Sequence, residues 1–299
     1  MNHLNNLTDV EKFISTTDLT TLKRDELLEL NLITDELKRR KLQGECRENF
    51  LTFVRTMWSS FIEGAHHRIM CEQFNKIAKG ELKRVIINMA PRHSKSEMSS
   101  YMLPSWLLGI RPDLKIIQAT HTGELAVRFG RKVRDLVDTR EYKEIFPNVS
   151  LRADSKAAGR WETTEGGEYF ASGVGGAITG RGADILIIDD PHSEQDALSE
   201  TAMEMAYEWY TSGPRQRLQP GGVIILVMTR WSKKDLTGQL LKAQMSDLKA
   251  DKWELIEFPA IMPSGKPVWE EFWKIEELEG IRASLPHSKW SAQWMQEPT

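Results

Sequence analysis

Short apolar runs of strand length recur along this chain, and stretches with helical spacing separate them. The runs are rich in β-branched residues and lie at 85–88, 115–119, 185–189 and 223–228, with one more at 253–259. Continuous apolar runs of this length are typical of strands that are buried on both faces, as in a parallel sheet. The alternation of strands with helices therefore predicts an α/β fold, in which helices cover both faces of a mostly parallel sheet.

The segment before the first strand is charged and also shows helical spacing. Residues 1–45 are predicted to form a helical N-terminal segment. Within it, Leu37–Leu42 is a basic cluster, which is either a solvated helix face or an arm that touches DNA or a partner subunit.

The first strand leads into a loop that carries candidate chemistry. The turn-prone segment Met89–Ser94 is followed by Lys95 and Ser96, and then by a predicted helix at 97–108 with a kink at Pro104. Strand, loop, Lys-Ser and helix form the layout of a phosphate-binding P-loop. In such a loop, backbone N–H groups at the helix N-terminus bind phosphate, the lysine reaches the β/γ oxygens, and the hydroxyl of Ser96 ligates Mg²⁺.

This P-loop departs from the usual pattern at two positions. The pattern G-x-x-x-x-G-K-[ST] would place glycine at 89 and 94, where this chain has Met89 and Ser94. An ordinary strand-to-helix turn with a solvated lysine is the alternative. The nucleotide-binding residues that this segment predicts are Pro91, Arg92, His93, Ser94, Lys95 and Ser96.

An acidic pair after a later strand supports the phosphate-binding interpretation. The apolar run at 185–188 ends in Asp189 and Asp190. In open α/β sheets the ligand crevice lies at the carboxyl ends of the strands, so the pair is expected to face the P-loop. Asp189 would then hold Mg²⁺ through water, and Asp190 would orient an attacking water, which predicts nucleotide hydrolysis.

Composition narrows the possible partners. The chain has 299 residues, a formal net charge of −3, and only two cysteines, Cys46 and Cys71. Because the net charge is negative, contact with nucleic acid would require a local basic patch or several subunits together. The cysteine content fits a reducing compartment and argues against structural zinc. We expect neither a signal peptide nor a membrane span, since no apolar run approaches ~18 residues.

Other segments suggest contacts around the nucleotide. The pair Gly166-Gly167 predicts a hairpin, and the glycine-rich segment Gly173–Gly182 predicts a mobile loop near ligand. His66 and His67 have no further metal ligands at suitable spacing, so a metal site is not expected there. Either this histidine pair or Gln73 would lie against an adenine, unless the helix is only a surface helix.

Two further groups of polar residues have two interpretations each. Thr229 follows the strand at 223–228, where it would sense the γ-phosphate beside Asp190 or would cap a helix. Arg128, Arg131 and Arg134 recur at three-residue spacing on a predicted helix at 122–137. Such a stripe is a solvated face, or it supplies an arginine to the active site of a neighbouring subunit in a ring.

Three of these motifs, in this order, resemble the N-terminal ATPase part of the large terminase subunit of tailed phages. They are Pro91–Glu97, the segment Ile178–Pro191 that contains the acidic pair, and Met228–Gly238 with its Thr-Arg-Trp and Asp-Leu-x-Gly elements. The closing segment Trp290–Pro298 is similar to the stretch that joins the ATPase to the nuclease in this family.

The resemblance implies a fold, cofactors and partners. The implied fold is a P-loop ATPase of the ASCE type across residues 46–299, with ATP and Mg²⁺ as cofactors. The implied partners are double-stranded DNA, the portal protein, the small terminase subunit and further copies in a homo-oligomeric ring, without a membrane. The implied location is the cytoplasm of an infected bacterial cell.

The resemblance also implies roles at matching positions. Arg92 matches an arginine that contacts the γ-phosphate in cis, and Thr229 matches the coupling motif that links hydrolysis to DNA movement. Asp190 stands where many members have a catalytic glutamate, so either the attacking water lies closer or Glu194 completes the site. The family's nuclease half finds no match, which implies a truncated or split chain, or a nuclease that is encoded elsewhere. The alternative functions are a helicase-like ATPase outside packaging and a docking module that does not hydrolyse ATP.

Overall fold

An eight-stranded sheet runs through the part of the chain that the computed structural model describes, residues 4–178 and 180–299. Its strands are β1 (Arg84–Met89), β2 (Lys115–Thr120), β3 (Leu151–Ala157), β4 (Arg160–Thr163), β5 (Glu168–Gly173), β6 (Ala183–Asp189), β7 (Leu218–Met228) and β8 (Glu254–Phe258). Across the sheet they follow the order β3-β4-β5-β2-β6-β7-β1-β8.

The predicted mostly parallel sheet is confirmed. All neighbours from β5 through β2, β6, β7 and β1 to β8 pair in parallel, whereas β3, β4 and β5 pair antiparallel. The strand at 253–259 and the four other predicted strands coincide with β8, β1, β2, β6 and β7. Strand β7 lies between β1, which leads into the Lys95-Ser96 loop, and the acidic strand β6.

Helices cover both faces of this sheet. In the described part of the chain, the helices are α1 (Leu7–Thr16), α2 (Arg24–Glu48), α3 (Phe50–Met57), α4 (Ala65–Ala78), α5 (Leu103–Ile110), α6 (Gly123–Val137), α7 (Arg140–Ile145), α8 (Glu200–Ser212), α9 (Leu236–Ser246), α10 (Ile275–Ser284) and α11 (His287–Lys289). Side chains alternate across a strand, so Val85 and Ile87 pack with the helices α3 to α7 on one face, while Ile86 packs with α8 and α9 on the other.

The helix that follows the P-loop is irregular before Pro104. Residues Glu97–Met102 form a π-helical turn, and α5 continues from Leu103 with Pro104 in its first turn. Proline has no N–H to donate to the carbonyl four residues earlier, and the wider i→i+5 turn accommodates that loss. The structure thus shows a π-helical turn before the proline, and the kink at Pro104 stays a prediction.

The N-terminal segment is helical, as predicted. Its small core contains Leu4, Val10 and Leu30. Helix α2 continues through position 45 to Glu48, and Cys46 is completely buried in the main core, where its carbonyl accepts a hydrogen bond from Trp106 Nε1 at 2.8 Å. The division of the chain into segments 1–45 and 46–299 stays a prediction.

The glycine pair at 166–167 closes a hairpin between β4 and β5, as predicted. In the adjoining glycine-rich segment, Thr179 lies outside the described residues, so mobility of the whole loop stays a prediction. Among the described residues, no helix combines the length and apolar character that crossing a membrane requires.

Candidate active site

The P-loop connects the end of β1 to the π-helical turn through two left-handed residues. Arg92 has φ 62° and Ser94 has φ 61°, a backbone region that residues other than glycine seldom adopt. The Met98 N–H donates to the Ser94 carbonyl at 3.0 Å, so the helical backbone begins directly after Ser94. The first-turn N–H groups of a helix have no acceptor within it, and this geometry makes them available to an anion at Lys95 and Ser96.

The structure brings the acidic pair against the P-loop. Ser96 Oγ donates to Asp189 Oδ1 at 3.0 Å, and Lys95 Nζ lies 2.8 Å from Asp190 Oδ2. These contacts join residues that are more than ninety positions apart in the sequence, because β1 and β6 are parallel and end at the same edge of the sheet.

A second serine, which sequence reasoning missed, completes the surroundings of Asp189. Ser100 Oγ donates to Asp189 Oδ2 at 2.7 Å and accepts a hydrogen bond from Gln118 Nε2 at 3.0 Å. Both oxygens of this buried carboxylate therefore have hydroxyl donors. The sequence contains one indication of this contact. Ser96 and Ser100 are four residues apart, a spacing that places two side chains on the same face of a helix.

Burial dominates the electrostatics of the pair. Asp189 is 1% exposed, and its desolvation, followed by the charge of Asp190, raises the pKa of the Asp189 carboxyl. Lys95 and the two serine hydroxyls lower the pKa of the same carboxyl. Lys95 is itself buried, so its charge acts on both carboxylates through little water.

Thr229 lies at the tip of β7 between the P-loop strand and the acidic pair. Its N–H donates to Asp190 Oδ1 at 2.8 Å, and its hydroxyl donates to the Met89 carbonyl at 3.1 Å. The alternative that Thr229 caps a helix is wrong, because Asp235 caps α9 by accepting from Gly238 N. Thr229 therefore connects β1 to Asp190 directly.

A cleft of about 400 Å³ opens beside the P-loop. One side is formed by P-loop residues, and the other is largely aromatic. Its lining residues are Trp58, Ser60, Phe61, Ile62, Arg92, Ser94, Lys95, Ser96, Glu97, Trp269 and Phe272. The Trp269 and Phe272 rings are stacked with centroids 4.4 Å apart, and Phe272 is 47% exposed.

The expectation that Gln73 or the histidine pair lies against an adenine stays a prediction, although none of the three contributes to the lining of this cleft. Gln73, His66 and His67 are all buried, and none lines it. Aromatic residues line the cleft instead. His67 lies behind them, and its Nε2 is 2.6 Å from Ser94 Oγ.

Glu194 lies apart from this arrangement, whereas Arg92 lies beside it. Glu194 faces Lys289 at 3.3 Å and lines a second cleft, of about 200 Å³, together with Trp231. Arg92 is exposed on the P-loop, with its side chain in the lining of the first cleft.

The arginine stripe follows α6. Arg128 and Arg131 are exposed, and neither forms an ion pair with any described residue. Arg134 is half-buried, with Nη2 2.7 Å from Asp135 Oδ1. Lys132, on the same helix, pairs with Glu97, so α6 packs beside the helix that follows the P-loop.

The donor set next to Lys95 fits Mg²⁺. Ser96 and Asp189 offer hydroxyl and carboxylate oxygens, the hard ligands that this ion prefers. The described residues contain no group of three or more His, Cys, Asp or Glu side chains that could enclose a metal. Such a sparse set suits Mg²⁺, which usually binds one or two protein ligands together with substrate phosphates.

Neither protein-family models nor curated proteins match this sequence, whereas solved structures resemble the fold. The HK97 bacteriophage large terminase is 12% identical and has a TM-score of 0.49, over 76% of this chain and 50% of its own. A variant of the Thermus phage P74-26 large terminase ATPase domain is 15% identical, with a TM-score of 0.49 over 76% of this chain and 93% of its own. A large terminase from a thermophilic bacteriophage, in complex with ATP-γ-S, is 10% identical, with a TM-score of 0.47 over 75% and 52%.

The chain thus spans about half the length of the HK97 large terminase. At these identities, the likeness is one of fold.

Proposed function

We propose that this chain is a Mg²⁺-dependent ATPase, the motor part of a phage large terminase that drives double-stranded DNA into a procapsid. One observation carries the proposal: Lys95 and Ser96 of a P-loop contact the paired carboxylates Asp190 and Asp189 beside a cleft of nucleotide size. The order of the P-loop, Asp-Asp-Pro and Thr-Arg-Trp motifs supports the terminase assignment. Residues 46–299 would form the ATPase part, acting in the cytoplasm of the infected cell.

Within this proposal each residue has a positional role. The P-loop backbone from Pro91 to Ser96 holds the phosphates, and Lys95 and Arg92 neutralise the charge that develops on the γ-phosphoryl group. Ser96 and Asp189 would hold Mg²⁺, which would neutralise phosphate charge when bound. Asp190 orients the attacking water, and Thr229, hydrogen-bonded to it, conveys a change at the γ-phosphate to β7.

DNA stimulation of ATP hydrolysis tests this proposal. We expect purified protein to release phosphate from ATP in the presence of Mg²⁺, faster when double-stranded DNA is added, because a translocating motor couples its turnover to the polymer it moves. Stimulation by single-stranded nucleic acid alone would instead indicate a helicase-like ATPase. No release under any condition, including with portal protein and small subunit, would indicate a docking module.

The aromatic side of the cleft is proposed to stack on the adenine. Truncation of Phe272, whose half-exposed ring lies on Trp269, is expected to raise the KM for ATP about tenfold, since base–aromatic stacking contributes about 1–3 kcal/mol. We expect kcat to change little, because the ring lies away from the reacting phosphate. Met245→Ala, which truncates an exposed side chain outside the cleft, is the control. An unchanged KM in Phe272→Ala would contradict base stacking at this position.

A ring assembly would bring an arginine to the neighbouring site, and Arg128 and Arg131 are the best placed candidates on α6 because both are exposed. Mixing subunits tests this. Each single arginine variant retains its own P-loop and would receive an arginine from a Lys95→Ala neighbour. The three variants are Arg128→Ala, Arg131→Ala and Arg134→Ala. We expect one of these mixtures to recover about half the ATPase activity per intact P-loop, whereas either parent alone is inactive. Wild-type activity in all three single variants would show that the stripe is a solvated face.

A further inference from the structure

The P-loop adopts a backbone conformation at Ser94 that its residue type does not favour. Ser94 has φ 61°, and serine, unlike glycine, has a Cβ that opposes this left-handed region. The usual P-loop pattern has glycine here. Something in the surrounding structure must therefore hold Ser94 in place, since strained residues persist only where neighbouring contacts determine them.

A residue of α4, twenty-seven positions earlier in the chain, contacts the Ser94 side chain. His67 Nε2 lies 2.6 Å from Ser94 Oγ. His67 Nδ1 accepts a hydrogen bond from the Gly64 N–H at 2.9 Å, so the proton of the neutral ring is on Nε2. His67 therefore donates to Ser94 Oγ, and the Ser94 hydroxyl in turn donates to the His93 carbonyl at 2.7 Å.

The histidine ring itself is fixed by its surroundings. His67 is 0% exposed and packs edge-on against Phe61 and Trp269, with both centroid distances at 4.9 Å. A Cβ at Gly64 would lie 2.6 Å from Trp269 Cδ1, so the backbone donor of His67 is also tightly packed. Desolvation by burial lowers the pKa of His67 to about 2, which keeps the ring neutral at physiological pH.

We propose that His67 is a positioning residue that holds Ser94 in the left-handed conformation and thereby shapes the P-loop for the β-phosphate of a nucleoside triphosphate. This inference rests on the proposed ATPase function. It assigns to the hydrogen bond between His67 and Ser94 the conformational role that glycine has in the usual P-loop. The same ring supports Phe61 and Trp269, so the phosphate loop and the aromatic side of the cleft have one common support.

A double-mutant cycle in the full chain separates this role from simple packing. His67→Phe removes the hydrogen bond but retains a ring against Phe61 and Trp269. It is expected to raise the KM for ATP about tenfold, with a smaller change in kcat. The same substitution in a Ser94→Gly background is expected to change KM by less than about twofold relative to Ser94→Gly alone, because glycine needs no support there.

Within the double-mutant cycle, two results would overturn the proposal. One is an unchanged KM in His67→Phe, and the other is an equal loss in the wild-type and Ser94→Gly backgrounds, which would mean that His67 acts through packing alone. Should His67→Phe fail to fold, Ser94→Ala and Ser94→Gly in the protein that retains His67 decide the matter. We then expect Ser94→Ala to have the higher KM by about tenfold. Equal values would contradict the proposed role.

Hydrogen exchange gives a measurement that needs no nucleotide. In His67→Phe, amides of residues 93–96 are expected to exchange about tenfold faster than in wild type, while β1 is unaffected. Unchanged exchange would overturn the proposal. A wild-type protein that neither binds nor hydrolyses ATP would overturn the proposed function, and the exchange result would still decide whether His67 holds the loop.

Discussion

Replacement of Lys95 by alanine is expected to abolish ATP turnover, with a loss in kcat/KM of about 10³-fold or more. The lysine side chain is only 8% exposed and lies 2.8 Å from Asp190 Oδ2. Charge–charge interactions in such a water-poor site are much stronger than at the surface, so no solvent cation replaces the lost ammonium. Phosphate release with ATP, Mg²⁺ and double-stranded DNA measures the effect.

Loss of Lys95 would also disturb the acidic pair. Burial and the charge of Asp190 raise the pKa of Asp189, and the Lys95 ammonium lowers it. Removal of Lys95 therefore leaves two adjacent carboxylates without their nearest cation. We therefore expect weaker nucleotide and Mg²⁺ binding in addition to slower chemistry. Lys76→Ala removes a half-exposed lysine that pairs with Glu72 on α4 and serves as the control. Turnover within about threefold of wild type in Lys95→Ala would contradict the P-loop assignment.

The predictable part of this fold is the part that depends on local patterns. Runs such as Val85–Ile87 and Ile185–Ile188 are apolar because both faces of their strands are buried, and this made the central strands recognisable. The meeting of Lys95 with Asp190 also followed from a general rule, since parallel strands present their carboxyl ends at one edge.

The aromatic side of the cleft could not be predicted in this way. Phe61 and Trp269 are more than two hundred residues apart and belong to irregular segments, where no periodicity indicates which way a side chain points. The contact of His67 with Ser94 is hidden for the same reason. Sequence comparison with the usual P-loop pattern shows that glycine is absent at 94, but only the packing of α4 against the loop shows what compensates for it.

The second large effect is expected on replacement of the carboxylate proposed to orient the attacking water. Asp190→Asn should lower kcat by about 10²–10⁴-fold, the usual contribution of a positioned acid or base, while ATP affinity stays within about threefold. Asparagine is a suitable substitution because Asp190 has φ 43°, and Asn tolerates the left-handed region better than most residues. Its side-chain oxygen can still accept the hydrogen bond from Thr229 N.

Glu194→Gln is the matched comparison, since it makes the same change from carboxylate to amide four residues later. Glu194 is 72% exposed and faces Lys289 in a separate cleft, so we expect its kcat to remain within about threefold of wild type. Single-turnover hydrolysis at saturating ATP, together with nucleotide-binding titrations, distinguishes slower chemistry from weaker binding. Near-normal turnover in Asp190→Asn combined with a large loss in Glu194→Gln would assign the base to Glu194. It would also require the segment that carries Glu194 to move towards Lys95 during the reaction, because the contact with Lys289 now directs this carboxylate elsewhere.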